Sequence, residues 1–161
     1  MKKIPFKCLR CGDCCRKVAR GQKFGMPLMR TEADRLRILA MRHMIDLELK
    51  PLTTNGLWVT TYQMTQNPCV FLRAGECLVY PYRPLVCQMY PFHPKGLSPC
   101  KFLDLYARGK PIGYPESVKM AAISYSLEVA PLLRGCTKRY NLNKGWERPY
   151  EDNKKYMILD L

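Results

Sequence analysis

The chain has 161 residues, 47% of them hydrophobic, which is enough for one domain with an ordinary core and excludes wholesale disorder. Its 27 Lys and Arg residues against 13 Asp and Glu residues give a formal net charge of +14, so the surface is expected to be strongly basic. No stretch approaches the roughly 18 uncharged apolar residues needed to span a bilayer, so we expect no membrane association.

Nine cysteines in a chain of this length indicate either a disulfide framework or a metal framework. The N-terminus, residues 1–8, is positively charged but lacks the apolar core of a secretory signal. We therefore expect a cytoplasmic protein, in which thiols stay reduced and clustered cysteines are more often metal ligands than disulfides. The odd number of cysteines and the adjacent pair Cys14 and Cys15 also fit a disulfide scheme poorly.

The first feature along the chain is a C-x2-C-x2-C-C cluster formed by Cys8, Cys11, Cys14 and Cys15. A gap of two residues lets two sulfurs reach one ion while backbone N–H groups of the turn hydrogen-bond to sulfur. Because adjacent side chains must point in different directions, we hypothesise that Cys14 and Cys15 serve two neighbouring metal centres.

Two helices are predicted. The first begins at Thr31, whose side chain can form a cap with Asp34, and Pro51 stops it. The second begins at about Ser117, and Pro131 is expected to end it. Apolar and partly apolar residues recur at helical spacing in both segments: Leu36, Leu39, Ala40, His43 and Leu47 in the first, and Val118, Ala122, Tyr125 and Val129 in the second.

Strands are predicted between these helices. Residues 57–62 are rich in branched and aromatic side chains, which favour a strand. Residues 69–72 and 77–80 flank a short segment whose Gly75 suits a tight turn, which predicts a hairpin. The predicted fold class is therefore α+β, a small single domain over residues 1–161 with short helices and a small antiparallel hairpin or sheet, organised around cysteine-ligated metal centres.

Three segments together resemble a known family. They are FKCLRCGDCC at residues 6–15, CVFL with GECLVY between residues 69 and 80, and RPLVCQMYPF at residues 83–92. In their order and content they resemble the zinc- or iron-chelating domain family named for its CxxCxxCC motif, also called YkgJ-like cysteine cluster proteins. The resemblance covers about residues 6–93, followed by a late cysteine region to about residue 145 and a basic C-terminal tail at residues 146–161.

This resemblance implies that about eight cysteines bind metal. The expected eighth ligand is a late cysteine, for which Cys136 is our choice and Cys100 the alternative. The full expected set is Cys8, Cys11, Cys14, Cys15, Cys69, Cys77, Cys87 and Cys136.

Thiolate ligands alone permit either of two cofactors. About two zinc ions with four thiolates each would make closed structural sites. An iron–sulfur cluster is also held by four thiolates, but a bacterial ferredoxin run would place three residues and then Cys-Pro after Cys14, where this chain has Cys15 at once. We favour zinc on the structural argument and keep an iron–sulfur cluster as the alternative.

Basic and aromatic residues are concentrated near the cysteine cluster and toward the C-terminus. Arginine and lysine supply attraction to phosphates, and aromatic rings supply stacking, so the pattern predicts RNA or a ribonucleoprotein assembly such as the ribosome as the partner. A solvated surface that offsets the thiolate charge is the alternative. The candidate nucleic-acid residues are Arg10, Arg16, Lys17, Arg20, Lys23, Lys138, Arg139, Lys144 and Trp146.

The sequence offers little sign of catalysis. His43 lies on the apolar face of the first predicted helix and is expected to be a packing residue, whereas His93, six residues after Cys87, is the better candidate for a role near metal. No catalytic residue and no small-molecule substrate is predicted. The preferred function is a metal-stapled RNA-binding module; the alternative is an iron–sulfur redox or group-transfer enzyme, for example a methyl-transfer enzyme, or its accessory protein.

Overall fold

The structure, a computed structural model, describes residues 2–18, 23–93, 96–97 and 100–148. Its α-helices are α1 (Arg30–Arg42), α2 (Leu85–Gln88), α3 (Lys101–Tyr106), α4 (Glu116–Ser124) and α5 (Ala130–Arg134), with a π-helical segment at Tyr125–Val129 and 3-10 turns at Cys15–Lys17 and Tyr80–Tyr82. Its strands are β1 (Ile4–Pro5), β2 (Met26–Met29), β3 (Leu49–Asn55), β4 (Trp58–Met64), β5 (Leu72–Arg73), β6 (Glu76–Cys77), β7 (Phe92–His93), β8 (Gly96–Leu97), β9 (Ile112–Gly113), β10 (Lys138–Asn141) and β11 (Gly145–Glu147). The predicted α+β class is confirmed.

An antiparallel sheet in the order β11-β10-β3-β4-β2 forms the framework. The strand predicted at residues 57–62 is confirmed within β4, and the hairpin predicted around Gly75 is confirmed as β5–β6. Strands β2, β3, β10 and β11 were not predicted. Pro51 lies inside β3, next to an irregularity in its pairing with β4, which is a position where a sheet tolerates proline.

Helix α1 confirms the first predicted helix but ends earlier than its apolar spacing indicates. Its first turn is held by Glu32 rather than by Thr31 and Asp34, because the Glu32 carboxylate accepts the backbone N–H of Met29 at 2.9 Å. The same carboxylate accepts the N–H of Leu85 at 2.7 Å, which ties α1 to α2. The helix ends at Arg42, and Met44 takes a positive φ of 52°, which turns the chain away well before Leu47.

The second helical region continues past the residue expected to stop it. The π-helical segment ends where the Ala130 N–H bonds to the Tyr125 carbonyl, and α5 then runs through Pro131 to Arg134. Pro131 falls in the first turn of α5, where a missing N–H costs little. The prediction that Pro131 ends the helical region is therefore wrong, because the change of helical register begins a new segment at that point.

In the part of the chain that the structure describes, three groups of buried side chains lie around the framework. Leu28 joins α1 residues, Met64 and Phe71 in one core, whereas its neighbour Met29 packs against the core formed with Tyr125 and Val129. Because consecutive strand residues point to opposite faces, α1 and the α4–α5 region cover opposite faces of β2. A third, smaller core joins Phe6 near β1 to α3 and the segment around β9.

Among the described residues no helix is both long enough and apolar enough to cross a membrane.

Candidate metal centre

Eight of the nine cysteines line one cavity. It lies where the α1 face of the sheet, the β5–β6 hairpin, α2 and the N-terminal end of α3 meet, and it has a volume of about 70 Å³. This space suits ions rather than an organic cofactor. The cysteines in its wall are Cys8, Cys11, Cys14, Cys15, Cys69, Cys77, Cys87 and Cys100.

The N-terminal cysteine loop is fixed against the β5–β6 hairpin. The N–H of Cys69 donates to the carbonyl of Cys15 at 2.7 Å, and the N–H groups of Cys15 and Arg16 donate to Gly12 within the turn. Gly12 has a φ of +71°, and a Cβ there would lie 2.9 Å from a Leu72 methyl carbon and 3.1 Å from the Gly75 carbonyl oxygen. Glycine therefore lets the loop approach the hairpin closely enough to bring the two sets of cysteines together.

Cys15 is at the centre of one group of thiols. Its sulfur lies 4.0 Å from that of Cys14 and hydrogen-bonds to Cys69 and Cys77 as well. These hydrogen bonds raise the pKa of Cys15 far above its usual value, because Cys15 keeps the proton that it shares with its neighbours. The same bonds lower the pKa of Cys14 to about 7 and that of Cys77 to about 6, and they lower the pKa of Cys69.

Cys87 lines the same cavity near this group of thiols. Burial raises the pKa of its thiol well above the usual value, and the neighbouring Cys14, Cys69 and Cys77 sulfurs raise it further. Its sulfur also lies 3.4 Å from the thioether sulfur of Met26 on β2. Cys87 sits in α2, whose first residue is the one held by Glu32 of α1. A buried carboxylate thus positions the short helix that carries this cysteine.

Cys100 lies in a second group with the first two cysteines of the loop. Burial raises the pKa of the Cys100 thiol, and the nearby Cys11 and Cys8 sulfurs add to that increase. Cys100 packs in the small core with Phe6 and Phe102, away from the core that surrounds Cys15. Tyr90 marks the region between the groups: burial raises its pKa, with further contributions from Cys100, Cys14, Asp13 and Cys11.

The thiols share a cavity without being arranged around a single point. Within the described ranges, no three Cys, His, Asp or Glu side chains are placed as ligands of one ion. Sulfurs at about 2.3 Å from a tetrahedral zinc ion lie about 3.8 Å from each other, and the Cys14–Cys15 separation of 4.0 Å is close to that spacing. Holding an ion therefore requires rotation of thiol side chains that already face the cavity.

A buried hydroxyl beside Cys100 supports a fit between this cavity and metal-bound thiolates. The Tyr114 hydroxyl has no hydrogen-bond partner in the described part of the chain, and its pKa is raised by burial and by the nearby Cys100. Leaving a buried hydroxyl without a hydrogen-bond partner lowers the stability of the fold. A thiolate accepts a hydrogen bond more strongly than a neutral thiol, so a metal-bound Cys100 would give this hydroxyl a partner. Soft thiolate donors are also the ligands that zinc and iron–sulfur clusters take.

Comparison with known proteins agrees with this cavity. The sequence model of the family CxxCxxCC, described as a putative zinc- or iron-chelating domain, matches residues 7–108. The chain belongs to this family. No curated protein and no solved structure matches the chain. The matched range of the CxxCxxCC domain contains all eight cysteines of the cavity, and chelation of zinc or iron is the chemistry that the family indicates.

The CxxCxxCC domain does not bring Cys136 to this cavity. Cys136 is buried after α5, and its thiol donates to the carbonyl of Leu133 at 3.3 Å. It also falls outside the matched range, whereas Cys100 lies inside it and in the cavity wall. The cavity wall therefore contains Cys100, our alternative, and not Cys136. Cysteine spacing carries no signal that separates Cys100 from Cys136, because the difference depends on where α3 and α5 pack.

The described residues in the wall of the thiol cavity include neither of the two histidines. His43 is exposed at the end of α1 and is absent from the cavity wall as described. His93 is in β7, but its side chain lies outside what the structure describes.

Three of the arginines predicted to contact nucleic acid are engaged within the protein. The guanidinium of Arg10 lies 4.4 Å from the centroid of the Tyr80 ring. Arg16 donates to the carbonyl of Cys11 at 2.7 Å. Arg139 is half-buried and donates to the carbonyl of Leu133 at 2.7 Å. For Arg139 this is a structural role, because its side chain points into the fold between β10 and α5.

The lysines and the tryptophan of the predicted nucleic-acid set are more accessible. Lys23, Lys138 and Lys144 are exposed, and Trp146 is 44% exposed with its ring edge-on to Tyr140 at 5.3 Å. Lys144 lies in the turn of the β10–β11 hairpin, and the adjoining Leu142 bonds to the carbonyl of Lys23. The side chain of Lys17 and the whole of Arg20 lie outside the described residues.

Proposed function

We propose that this CxxCxxCC domain holds its zinc or iron at two neighbouring sites of four thiolates each. The inner site consists of Cys15, Cys69, Cys77 and Cys87, and the outer site consists of Cys8, Cys11, Cys14 and Cys100. The observation that carries the proposal is the single cavity lined by these eight cysteines, in which Cys15 contacts Cys69 and Cys77 while Cys100 neighbours Cys8 and Cys11.

Cys14 is assigned to the outer site although it touches Cys15. Tyr90 lies near Cys14, Cys11 and Cys100 together, so the Cys14 sulfur faces both groups. With Cys14 in the outer site each group has the four donors of a closed tetrahedral centre. This division keeps the hypothesis that adjacent cysteines serve two centres, and four-thiolate sites of this kind supply structural stability when zinc is bound.

Replacing single cysteines tests the ligand set through metal content. Cys100→Ser is expected to lower the metal content from two ions per chain to one, since the outer site loses a ligand. Cys136→Ser is the matched control and should keep both ions, because a serine hydroxyl can also donate to the Leu133 carbonyl. Elemental analysis joined to native mass spectrometry measures both. The proposal fails if Cys136→Ser loses an ion and Cys100→Ser does not.

The β10–β11 hairpin supports a second proposed function, binding of single-stranded RNA. The observation that supports it is that Trp146, Lys138 and Lys144 are all exposed on this hairpin, since lysines attract phosphates and an exposed ring can stack on a base. The Lys138→Gln/Lys144→Gln variant should bind an RNA oligonucleotide more weakly than the wild type does. The negative slope of its log affinity against log salt should become shallower by about 1.4, because two phosphate contacts are lost.

The matched control for this hairpin is Arg35→Gln/Arg42→Gln, which removes two exposed charges from α1. It should leave the salt slope unchanged if RNA lies on the hairpin. If both variants lose the same amount of RNA affinity, the general positive charge of the protein accounts for the binding and the hairpin is not the site. If the affinity of the wild type does not depend on salt, the RNA proposal is wrong.

An iron–sulfur redox or group-transfer role, as enzyme or accessory protein, is the alternative that the same thiolates permit. Iron with sulfide and broad visible absorbance in protein purified without oxygen would favour it, whereas zinc without visible absorbance would favour the structural role.

A further inference from the structure

Arg83 brings a fixed positive charge into the wall of the thiol cavity. It follows the 3-10 turn Tyr80–Tyr82 and lines the cavity together with Tyr80 and Arg10. The Arg83 guanidinium carbon lies 3.6 Å from the centroid of the Tyr80 ring, and its Nε donates to the Tyr80 carbonyl at 2.9 Å. The backbone of Arg83 is held as well, because the Gln88 side-chain amide donates to its carbonyl. Both ends of this residue are therefore positioned.

Arg83 lies close to cysteines of both proposed sites. It is half-buried and lines the same cavity as Cys14, Cys77 and Cys87, so water screens its charge only in part. Cys14 belongs to the outer site, and Cys77 and Cys87 belong to the inner site. Arg10 lies farther from the same ring, at 4.4 Å, and its side chain is exposed, so water screens its charge more than that of Arg83.

Two filled four-thiolate sites in one cavity repel each other. Four thiolates around a divalent ion carry a net charge of about −2, and such charges interact strongly where water is excluded. Emptying one site relieves the repulsion, because its thiolates take up protons when the ion leaves. A cation between the sites therefore stabilises the state with both ions more than the state with one.

We infer that Arg83, held against the Tyr80 ring, is the shared counter-charge of the two sites and sets how firmly the second ion is held. The inference rests on the proposed pair of sites. Arginine suits this role because a planar guanidinium remains charged and stacks on an aromatic ring while its outer N–H groups stay free to donate. Arg83 is a positioning residue: it acts through the cysteines that hold the ions.

Stepwise metal release tests this role on the holo protein. A chromogenic chelator, 4-(2-pyridylazo)resorcinol, is added and the two ions are followed as they leave. In Arg83→Gln the first ion should leave roughly 10–100-fold faster than in the wild type, because loss of an outer partner usually lowers metal affinity by that factor and a weaker site releases its ion faster. The second ion should leave at nearly the wild-type rate, since the repulsion has then gone.

Companion variants separate charge from structure. Arg10→Gln removes the other cation at the Tyr80 ring and should change the first step much less. Tyr80→Phe keeps the ring that positions the Arg83 guanidinium and should release both ions as the wild type does. Tyr80→Leu removes that ring, so the first ion should leave faster even though Arg83 is still present. Arg83→Lys should rescue part of the effect.

Several outcomes would overturn the inference. One is that Arg83→Gln accelerates the release of both ions equally or leaves the release of the first ion unchanged. Another is that Arg83→Gln and Arg10→Gln change the release of the first ion by the same factor. If Arg83→Gln does not fold, Tyr80→Leu and Tyr80→Phe decide, and identical release from those two variants counts against Arg83. A wild-type protein that releases only one ion would instead remove the proposed pair of sites, and the inference with it.

Discussion

Removing the metal from the holo protein is expected to unfold the region around the cavity and to lower the free energy of unfolding by about 10 kcal/mol for each structural site that is emptied. The reason is local: the loop of residues 8–15 meets the rest of the protein mainly through thiols, the Cys69–Cys15 backbone bond and the contact of Gly12 with the hairpin. Without ions, the side chains of Cys15, Cys69 and Cys77 are joined only by hydrogen bonds between their sulfurs, which are weak.

Urea unfolding of the holo protein and of chelator-treated protein, followed by circular dichroism under reducing conditions, measures this loss. The control for chemical damage is to add back one equivalent and then two equivalents of metal. The treated protein should then unfold at the same urea concentration as the holo protein. A metal-free protein that unfolds at the same urea concentration as the holo form would show that the ions are not structural.

Replacing Phe71 by alanine should have the second-largest effect, a loss of about 3–5 kcal/mol in the free energy of unfolding. Phe71 is 1% exposed, lies in the core with Leu28 and Leu36, and also lines the thiol cavity. Its removal leaves a void beside Cys69 and Cys77, which the rigid hairpin can close only in part.

Leu57→Ala is the matched control for the loss of an apolar side chain, because Leu57 is 99% exposed at the tip of the β3–β4 hairpin. Its effect should stay within about 0.5 kcal/mol. Equal midpoints for Phe71→Ala and wild type in urea, with metal bound in both, would contradict the packing assigned to Phe71.

The helices and the β5–β6 hairpin could be predicted from the sequence because their signals are local. Spacing of apolar residues located α1, and Gly75 located the hairpin turn. Strands β2 and β3 each contain a proline, Pro27 and Pro51, and their strand character comes from pairing with β4 rather than from their own composition. The end of α1 was missed for a similar reason, since Met44 adopts a positive φ without the glycine that usually marks it.

In the candidate site too, residues that belong to a local sequence motif could be predicted, and residues placed by distant packing contacts could not. Seven of the predicted cysteines line the cavity, because the CxxCxxCC pattern and the later motif carry them. The choice between Cys136 and Cys100 depends on where α3 and α5 pack, which spacing alone does not determine. Arg139 and Arg83 illustrate the limit for charged residues: a long side chain can face solvent or the interior, and only its neighbours in the fold decide which.

The cysteines of the cavity come from segments that are far apart along the chain, with α1 and strands β2, β3 and β4 lying between Cys15 and Cys69. Joining them through an ion closes a long loop, and the entropy of closure must be overcome before the bonds to metal form. The sheet itself also depends on contacts between distant residues, which slow folding. At saturating metal, we therefore expect a newly made chain to bind metal at the rate at which the sheet assembles, not at the rate at which the chain encounters the metal.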